Sequence, residues 1–220
     1  MKKACVFDLD GTLLYTLESI AFAGNAALAL LGYPPEPEEA YAYYCGEGAD
    51  VLVRRILEKN GDTEPSHFEK AVAMHRKTIH ENASLGVRPY AGIPEALKAL
   101  KAKGLKLAVC SNKPDNATRE GIREMFGEDV FDVVMGQKDP LKRKPWPDMP
   151  LAICDTLGVT PSECLYFGDT GTDMQTARAA GMTGIGVLWG YRTKEELMEN
   201  GAVRLIADPS EIPGLTGEDW

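Results

Sequence analysis

No apolar run in this chain approaches the roughly 18 residues needed to cross a bilayer. The opening Met1-Lys2-Lys3-Ala4-Cys5-Val6-Phe7 is cut by Asp8, far short of the apolar centre of a secretory leader. These absences exclude a membrane partner and predict a cytoplasmic protein. Cysteine is sparse and scattered: Cys5, Cys45, Cys110, Cys154 and Cys164 are odd in number and form no Cys-x-x-Cys. That excludes a disulfide framework and a zinc-thiolate site, and predicts reduced, mostly buried thiols. Basic residues are in deficit, with 24 Lys and Arg against 33 Asp and Glu, a formal charge of −9. A nucleic-acid partner needs a basic stripe to meet phosphates, so none is expected. A small phosphorylated molecule stays possible, because local charge decides its binding. Histidine is limited to His67, His75 and His80, with no pair at the i, i+4 spacing of a helical zinc site. A solvated helix face is the plainer reading of all three. Internal repeats and low-complexity tracts are also missing.

What is present is a chain 44% hydrophobic, enough to bury a core. Short apolar runs bounded by Gly, Asp or Pro read as buried strands at 3–9, 105–110, 131–135, 164–167, 184–188 and 203–206. Helical patterns lie between them at 93–103, 115–126, 148–157, 172–180 and 193–200. In the first of these, Ile93, Ala96, Leu97 and Leu100 share a face and Gly104 stops the helix. Strand alternating with helix from residue 88 onward means a parallel sheet covered on both faces. Residues 16–82 break the alternation with about four amphipathic helices (16–31, 37–44, 49–60, 66–81). The fold class expected is α/β: a Rossmann-like, doubly wound parallel sheet core, residues 1–14 and 88–220. An all-helical segment, 15–87, is inserted after the first strand.

The strongest local signal is Asp8-Leu9-Asp10-Gly11-Thr12-Leu13. Residues i and i+2 of an extended chain point the same way, about 7 Å apart. Two carboxylates at the end of a first strand lie where open α/β sheets bind ligands. A surface Asp-Gly turn would look similar, but later strand ends tip the balance. LKLAVC ends in Ser111-Asn112-Lys113, and CLYF ends in Gly168-Asp169-Thr170-Gly171-Thr172-Asp173. Lys142-Arg143-Lys144-Pro145-Trp146-Pro147 falls between them. In a parallel sheet these ends emerge on one edge. One site would then collect Asp8, Asp10, Asp169 and Asp173 with a hydroxyl and a lysine. Such carboxylates repel unless a cation holds them, and oxygen ligands suit Mg²⁺. Lys142 and Arg143 read as a solvated loop. Lys144, stiffened by Pro-x-Pro, reads as functional.

With those motifs in order, the chain resembles the haloacid dehalogenase-like superfamily, and most of all its phosphoglycolate phosphatase-type members. The resemblance covers almost the whole chain: DLDGTL at 8–13, Ser111 in SNK, Lys144 in KPWP and GDTGTD at 168–173. Tyr90-Ala91-Gly92, Ala179-Ala180-Gly181 and Trp189-Gly190-Tyr191 are softer matches. The resemblance implies a Mg²⁺-dependent phosphatase of a small phosphorylated metabolite. Asp8 corresponds to a nucleophile that forms an aspartyl-phosphate. Asp10 corresponds to the general acid and then base. Lys144 corresponds to the lysine that neutralises charge on Asp8 and the phosphate, and Thr12, Ser111 and Asn112 to phosphate binders. The metal set implied is Asp8, Asp10 through its backbone carbonyl, Asp169 and Asp173. The helical insertion resembles a cap that closes over the site. Gly46 and Glu47 in the Cys45–Gly48 turn, with Arg54 and Arg55 beyond it, are candidate substrate contacts, although a plain connector and exposed helix arginines read as well. The family usually has an acid where Tyr15 stands, which bears on cap closure or substrate range.

Other readings of the motifs differ in testable ways. A sugar phosphomutase would keep the aspartyl-phosphate from water. A dehalogenase needs no second acid, so Asp10 argues against it. A non-catalytic receiver-type phosphoacceptor carries its acceptor in mid-chain and has no helical insertion. GDTGTD is not an EF-hand loop, since Gly171 stands at the third ligand position and Met174 at the sixth. The chain is expected to be a monomer or homodimer.

Overall fold

The computed structural model describes residues 2–217. The chain divides into two compact units, Met1–Leu14 with Pro89–Trp220, and Tyr15–Arg88.

The first unit is built on β1 (Ala4–Phe7), whose four residues are all fully buried. A strand that is apolar at every position can only be a central one, covered on both faces. The other large-sheet strands are β4 (Lys106–Pro114), β5 (Val133–Gln137), β6 (Cys164–Gly168), β7 (Thr183–Val187) and β8 (Arg204–Ile206). Their order is β5-β4-β1-β6-β7-β8, and every pairing is parallel. The doubly wound α/β sheet expected from the sequence is therefore found. The chain runs outward from β1 through β4 to β5, then returns to the other side of β1 through β6. That reversal opens a crevice at the carboxyl ends of β1, β4 and β6.

Side chains alternate across the sheet. Ala4, Val6, Cys164 and Tyr166 join a core cluster with Met149, Ile153 and Cys154 of α7 (Asp148–Leu157) and Ala177 of α8 (Gly171–Ala180). Phe7 and Phe167 on the opposite face stack at 4.8 Å. Helices α5 (Ile93–Ala102), α6 (Asp115–Phe126), α9 (Lys194–Glu199) and α10 (Ile212–Leu215) complete this unit. In α5 the buried positions are Ile93, Ala96, Leu97 and Leu100, and Gly104 at φ +78° follows the C-cap. Strand β4 runs on to Pro114, past the expected end at Cys110. Its register against β5 shifts between Cys110 and Pro114, so the Ser111-Asn112-Lys113 segment lies in an irregular strand end. Such irregularities re-aim side chains beside functional sites.

The second unit holds α1 (Leu17–Leu30), α2 (Glu38–Tyr44), α3 (Ala49–Lys59) and α4 (Pro65–Glu81). Its core is Ala23, Ala27, Leu28, Tyr41, Val53, Ile56 and Ala71. Gly24 is there because a Cβ would meet the Tyr41 ring at 2.2 Å. The solvated face expected for the histidines needs correction: His75 is 4% exposed. It shares the inner stripe of α4 with Ala71, Val72 and Thr78, at helical spacing. His80 is exposed, and His67 meets Asp62 at 2.9 Å. A two-stranded sheet pairs β2 (Leu14–Tyr15) with β3 (Arg88–Pro89), where the chain leaves and re-enters the first unit. The Tyr15 hydroxyl bonds Glu38, and the Arg88 guanidinium lies 4.1 Å over its ring. Among the described residues no helix is long and apolar enough to cross a membrane.

Candidate active site

The carboxyl end of β1 continues the sheet by one more bond, from Asp8 N–H to Phe167 O at 2.9 Å. This fixes Asp8 at the crevice with 5% of its surface exposed. A tight turn follows. Leu9 O accepts from the amides of Thr12, Leu13 and Leu14, and Gly11 takes φ +85°. A Cβ on Gly11 would also lie 2.3 Å from Asp169 Oδ2, so glycine is required twice over. The turn carries Thr12 to Asp169, where its hydroxyl donates to Oδ1 at 3.2 Å.

Asp169 follows β6, and α8 begins two residues later. Thr170 caps that helix, and Asp173 at N3 returns a carboxylate to the Thr170 amide at 3.1 Å, a capping box. The cap uses Asp173 Oδ2 and leaves Oδ1 for Lys144. The ammonium of Lys144, whose side chain is 2% exposed, donates to Asp8 Oδ1 and Asp173 Oδ1, both at 2.7 Å. The lysine is aimed by Asn112, whose side-chain amide forms a reciprocal pair with the Lys144 backbone: Lys144 N–H to Oδ1 at 2.8 Å and Nδ2 to Lys144 O at 3.1 Å. Asn112, expected as a phosphate binder, is thus engaged in holding the lysine loop. Ser111 is 2% exposed, and its hydroxyl accepts the Lys113 amide at 3.2 Å.

Asp8, Asp169 and Asp173 each bring a carboxylate oxygen within 4.8 Å of the others, all buried. Burial and the nearby Asp173 push Asp8 well above the usual carboxylate range despite Lys144. The same two causes raise Asp169 to about 7, although the Tyr191 N–H, Arg192 and Lys144 oppose them. Burial alone would lower Lys144, but Asp173 and Asp8 outweigh it and hold its ammonium above the ordinary lysine range. Lys144 bonds two of the three buried acids and Arg192 also acts on Asp169, yet Asp8 and Asp169 both stay above the usual range, so the repulsion among the acids is only partly offset. An all-oxygen donor set with that imbalance fits a small divalent cation such as Mg²⁺.

The structure thus brings together Asp8, Thr12, Lys144, Asp169 and Asp173, with Ser111 at the end of the neighbouring strand. The Asp10 carboxylate lies apart from the acid cluster: Lys113 Nζ donates to its Oδ1 at 3.0 Å. Gly46, Glu47, Arg54 and Arg55 lie in the helical unit. There Arg55 pairs with Glu47 and donates to Tyr44 O at 3.2 Å, while Arg54 lies 4.4 Å over the Phe68 ring. Several residues had no assigned role. Lys113 was in plain view beside Ser111, but nothing local reveals its partner. Trp189 Nε1 bonds Thr12 O at 3.0 Å, and the Tyr191 amide donates to Asp169 Oδ2 at 2.8 Å. Gly190 between them permits this approach, since a Cβ would stand 2.2 Å from Asp169 Cβ. Tyr166 touches Asp173 Oδ1 from below at 3.4 Å. The Thr170–Asp173 pair had a readable signal in the Thr-x-x-acid spacing of a capping box, and Trp189-Gly190-Tyr191 had one in its softer family match, though neither reveals the partner across the site.

Comparison with known proteins agrees with this geometry. A phosphoglycolate phosphatase of Thiobacillus denitrificans is 38% identical over 199 residues, 90% of this chain and 88% of that protein. One from Rhodospirillum rubrum is 34% identical over 224 residues, covering 99% and 92%. A crystal structure of a candidate phosphoglycolate phosphatase from Lactobacillus delbrueckii subsp. bulgaricus superposes with a TM-score of 0.94 at 31% identity, covering 99% of this chain and all of that one. CbbY from Rhodobacter sphaeroides, solved with phosphate, gives 0.81 at 26% identity, covering 96% of each chain. The haloacid dehalogenase-like hydrolase pattern matches residues 5–187. That span holds every member of the acid–lysine cluster, and the chain belongs to the haloacid dehalogenase-like hydrolase family.

Proposed function

We propose that this hydrolase is a Mg²⁺-dependent phosphatase that cleaves a small phosphomonoester through an aspartyl-phosphate on Asp8. The observation that carries the reading is Asp8 itself, a buried carboxylate at the end of the central strand, held by Lys144 at 2.7 Å beside Asp169 and Asp173. A carboxylate oxygen of Asp8 attacks phosphorus, and the bond from phosphorus to the ester oxygen breaks. The departing oxygen takes its proton from Asp10. Asp10 then removes a proton from water, which attacks phosphorus and releases inorganic phosphate and free Asp8. Dividing hydrolysis into two displacements is ordinary nucleophilic catalysis, and the proton cycle contributes about 10²–10⁴ in rate.

Lys144 is already ionised between Asp8 and Asp173, so its charge is in place before the phosphoryl group arrives. Thr12 and Ser111 supply hydroxyls to the phosphoryl oxygens, and Asn112 keeps Lys144 aimed. Asp8, Asp169 and Asp173, with the Asp10 carbonyl, would hold Mg²⁺. When bound, the ion neutralises the repulsion between an attacking carboxylate and a phosphate dianion. The helical unit, Tyr15–Arg88, serves as the cap, with Gly46, Glu47, Arg54 and Arg55 as candidate contacts to the leaving group.

The relatives named phosphoglycolate phosphatase support a phosphorylated small hydroxy acid as the substrate. The test is phosphate release from a panel of phosphomonoesters, with Mg²⁺ and with excess chelator. Turnover that needs Mg²⁺ and vanishes in Asp8→Asn is expected. Full turnover in chelator, or in Asp8→Asn, refutes the reading.

A further inference from the structure

At the irregular end of β4 two neighbouring side chains find different partners: Asn112 bonds the backbone of Lys144, and Lys113 reaches Asp10. Its ammonium donates to Asp10 Oδ1 at 3.0 Å, and the two side chains are 20% and 21% exposed. This pair is therefore partly exposed, unlike Lys144, which is 2% exposed and closed in between two carboxylates. Lys113 thus differs from Lys144 in kind. An ammonium has three donors, and a partly exposed one can turn a donor to an incoming group at low cost.

We propose that Lys113 is the residue that selects leaving groups carrying an acid next to the ester oxygen. The inference rests on the phosphatase reading above, and within it on Asp10 as proton donor. A proton donor must lie within hydrogen-bond reach of the ester oxygen. Whatever is bonded to that oxygen then lies beside Asp10, and so beside the Lys113 ammonium. In a phosphorylated 2-hydroxy acid the carboxylate is one carbon removed from the ester-bearing carbon's oxygen, a compact span that one ammonium and one acid can bracket. A neutral alcohol of the same length offers Lys113 nothing to neutralise. Lys113 is a specificity residue that touches the leaving group, and it is distinct from the groups that hold the phosphoryl oxygens.

The experiment compares two esters of the same carbon length, 2-phosphoglycolate with its carboxylate and 2-hydroxyethyl phosphate with a neutral hydroxymethyl group in its place. The quantity read is the ratio of their kcat/KM values in the wild type, Lys113→Met and Lys113→Arg, each checked for wild-type thermal unfolding. A charge-assisted contact is worth about 10- to 100-fold. We expect the ratio to fall by that factor in Lys113→Met, mainly through KM for phosphoglycolate, and to return largely in Lys113→Arg. In the wild type the ratio should also fall with added salt, because the pair is partly exposed; this arm needs no variant to fold. An unchanged ratio, with both esters slowed equally, would mean that Lys113 acts only by positioning Asp10 and overturns the inference while leaving the phosphatase reading intact. A wild type that releases phosphate from neither these esters nor any other overturns the phosphatase reading, and the inference with it.

Discussion

Replacing Asp169 by asparagine should make the metal-free protein more stable, not less, at pH 8. In the folded chain Asp169 titrates near 7 against an ordinary value of 3.8, because it is buried and faces Asp173. The folded pKa is raised, so the folded state binds the proton more tightly than the unfolded state does. Below about pH 4 both states hold the proton and the group contributes nothing. The penalty grows as pH rises through the interval and is complete above about 7. A shift of about three units corresponds to about 4 kcal/mol at 1.36 kcal/mol per unit. Asparagine removes the charge but not the shape. It loses one acceptor, since Thr12 Oγ1 and the Tyr191 amide both donate to the carboxylate. An unmet donor there costs about 1–3 kcal/mol. The balance is a gain of about 1–3 kcal/mol at pH 8, with about half the charge relief left at pH 5.5. At this chain length each kcal/mol moves Tm by about 2–4 °C. The assay is thermal unfolding of both proteins in chelator and in excess Mg²⁺, at each pH. Mg²⁺ should stabilise the wild type at pH 8 and do much less for Asp169→Asn. A variant no more stable than the wild type in chelator at pH 8 would show that the acid cluster is not charge-strained, and the argument for a cation would lose its footing.

Lys144→Met should have the opposite sign. It leaves Asp8 and Asp173 without their shared partner in a buried site, which costs about 3–5 kcal/mol and should abolish turnover; urea unfolding at pH 8 would read the loss, and an unchanged midpoint would contradict it. In Gly190→Ala the new Cβ would meet Asp169 Cβ at 2.2 Å and Gly11 O at 2.5 Å, both on rigid backbone, so Mg²⁺-dependent activity should drop at least tenfold. Calorimetric Mg²⁺ affinity should weaken in parallel, and retention of both would mean the loop yields freely. Asp10→Asn should slow release of a poor alkoxide leaving group by about 10²–10⁴, yet let an activated ester label Asp8. Rapid-quench labelling that instead marks Asp10 in the wild type would reverse the assigned roles.

Much of this was legible in one dimension because it depends on local order. An unbroken apolar ACVF can only be a central strand, so its end had to lie at the sheet's ligand-binding edge, and Asp8 and Asp10 followed. The fully buried faces of α5 and the glycine after it came from spacing alone. The site's internal wiring did not. Lys113 and Asp10 are 103 residues apart, Lys144 and Asp8 136, and Trp189 and Thr12 177. No local pattern encodes such pairings, and of the three only Lys144 with Asp8 was expected, through the family resemblance. Strand order decided them, by bringing the ends of β5, β4, β1, β6 and β7, and the loops that follow them, to one edge of the sheet. Burial was likewise a tertiary outcome. His75 looked like a polar position on a polar helix and became core because its stripe faces α4's packing partners. Asn112 reads as a ligand for phosphate, and its pairing with the lysine loop, 32 residues away, has no sign in the local sequence. The sequence by itself determined which chemistry-bearing residues exist and at which strand ends they stand, because strand character and turn chemistry are local. Which acid meets which lysine was decided by the tertiary structure alone, and with it the charge each must bear, because only folding sets the distances and removes the water that set those energies.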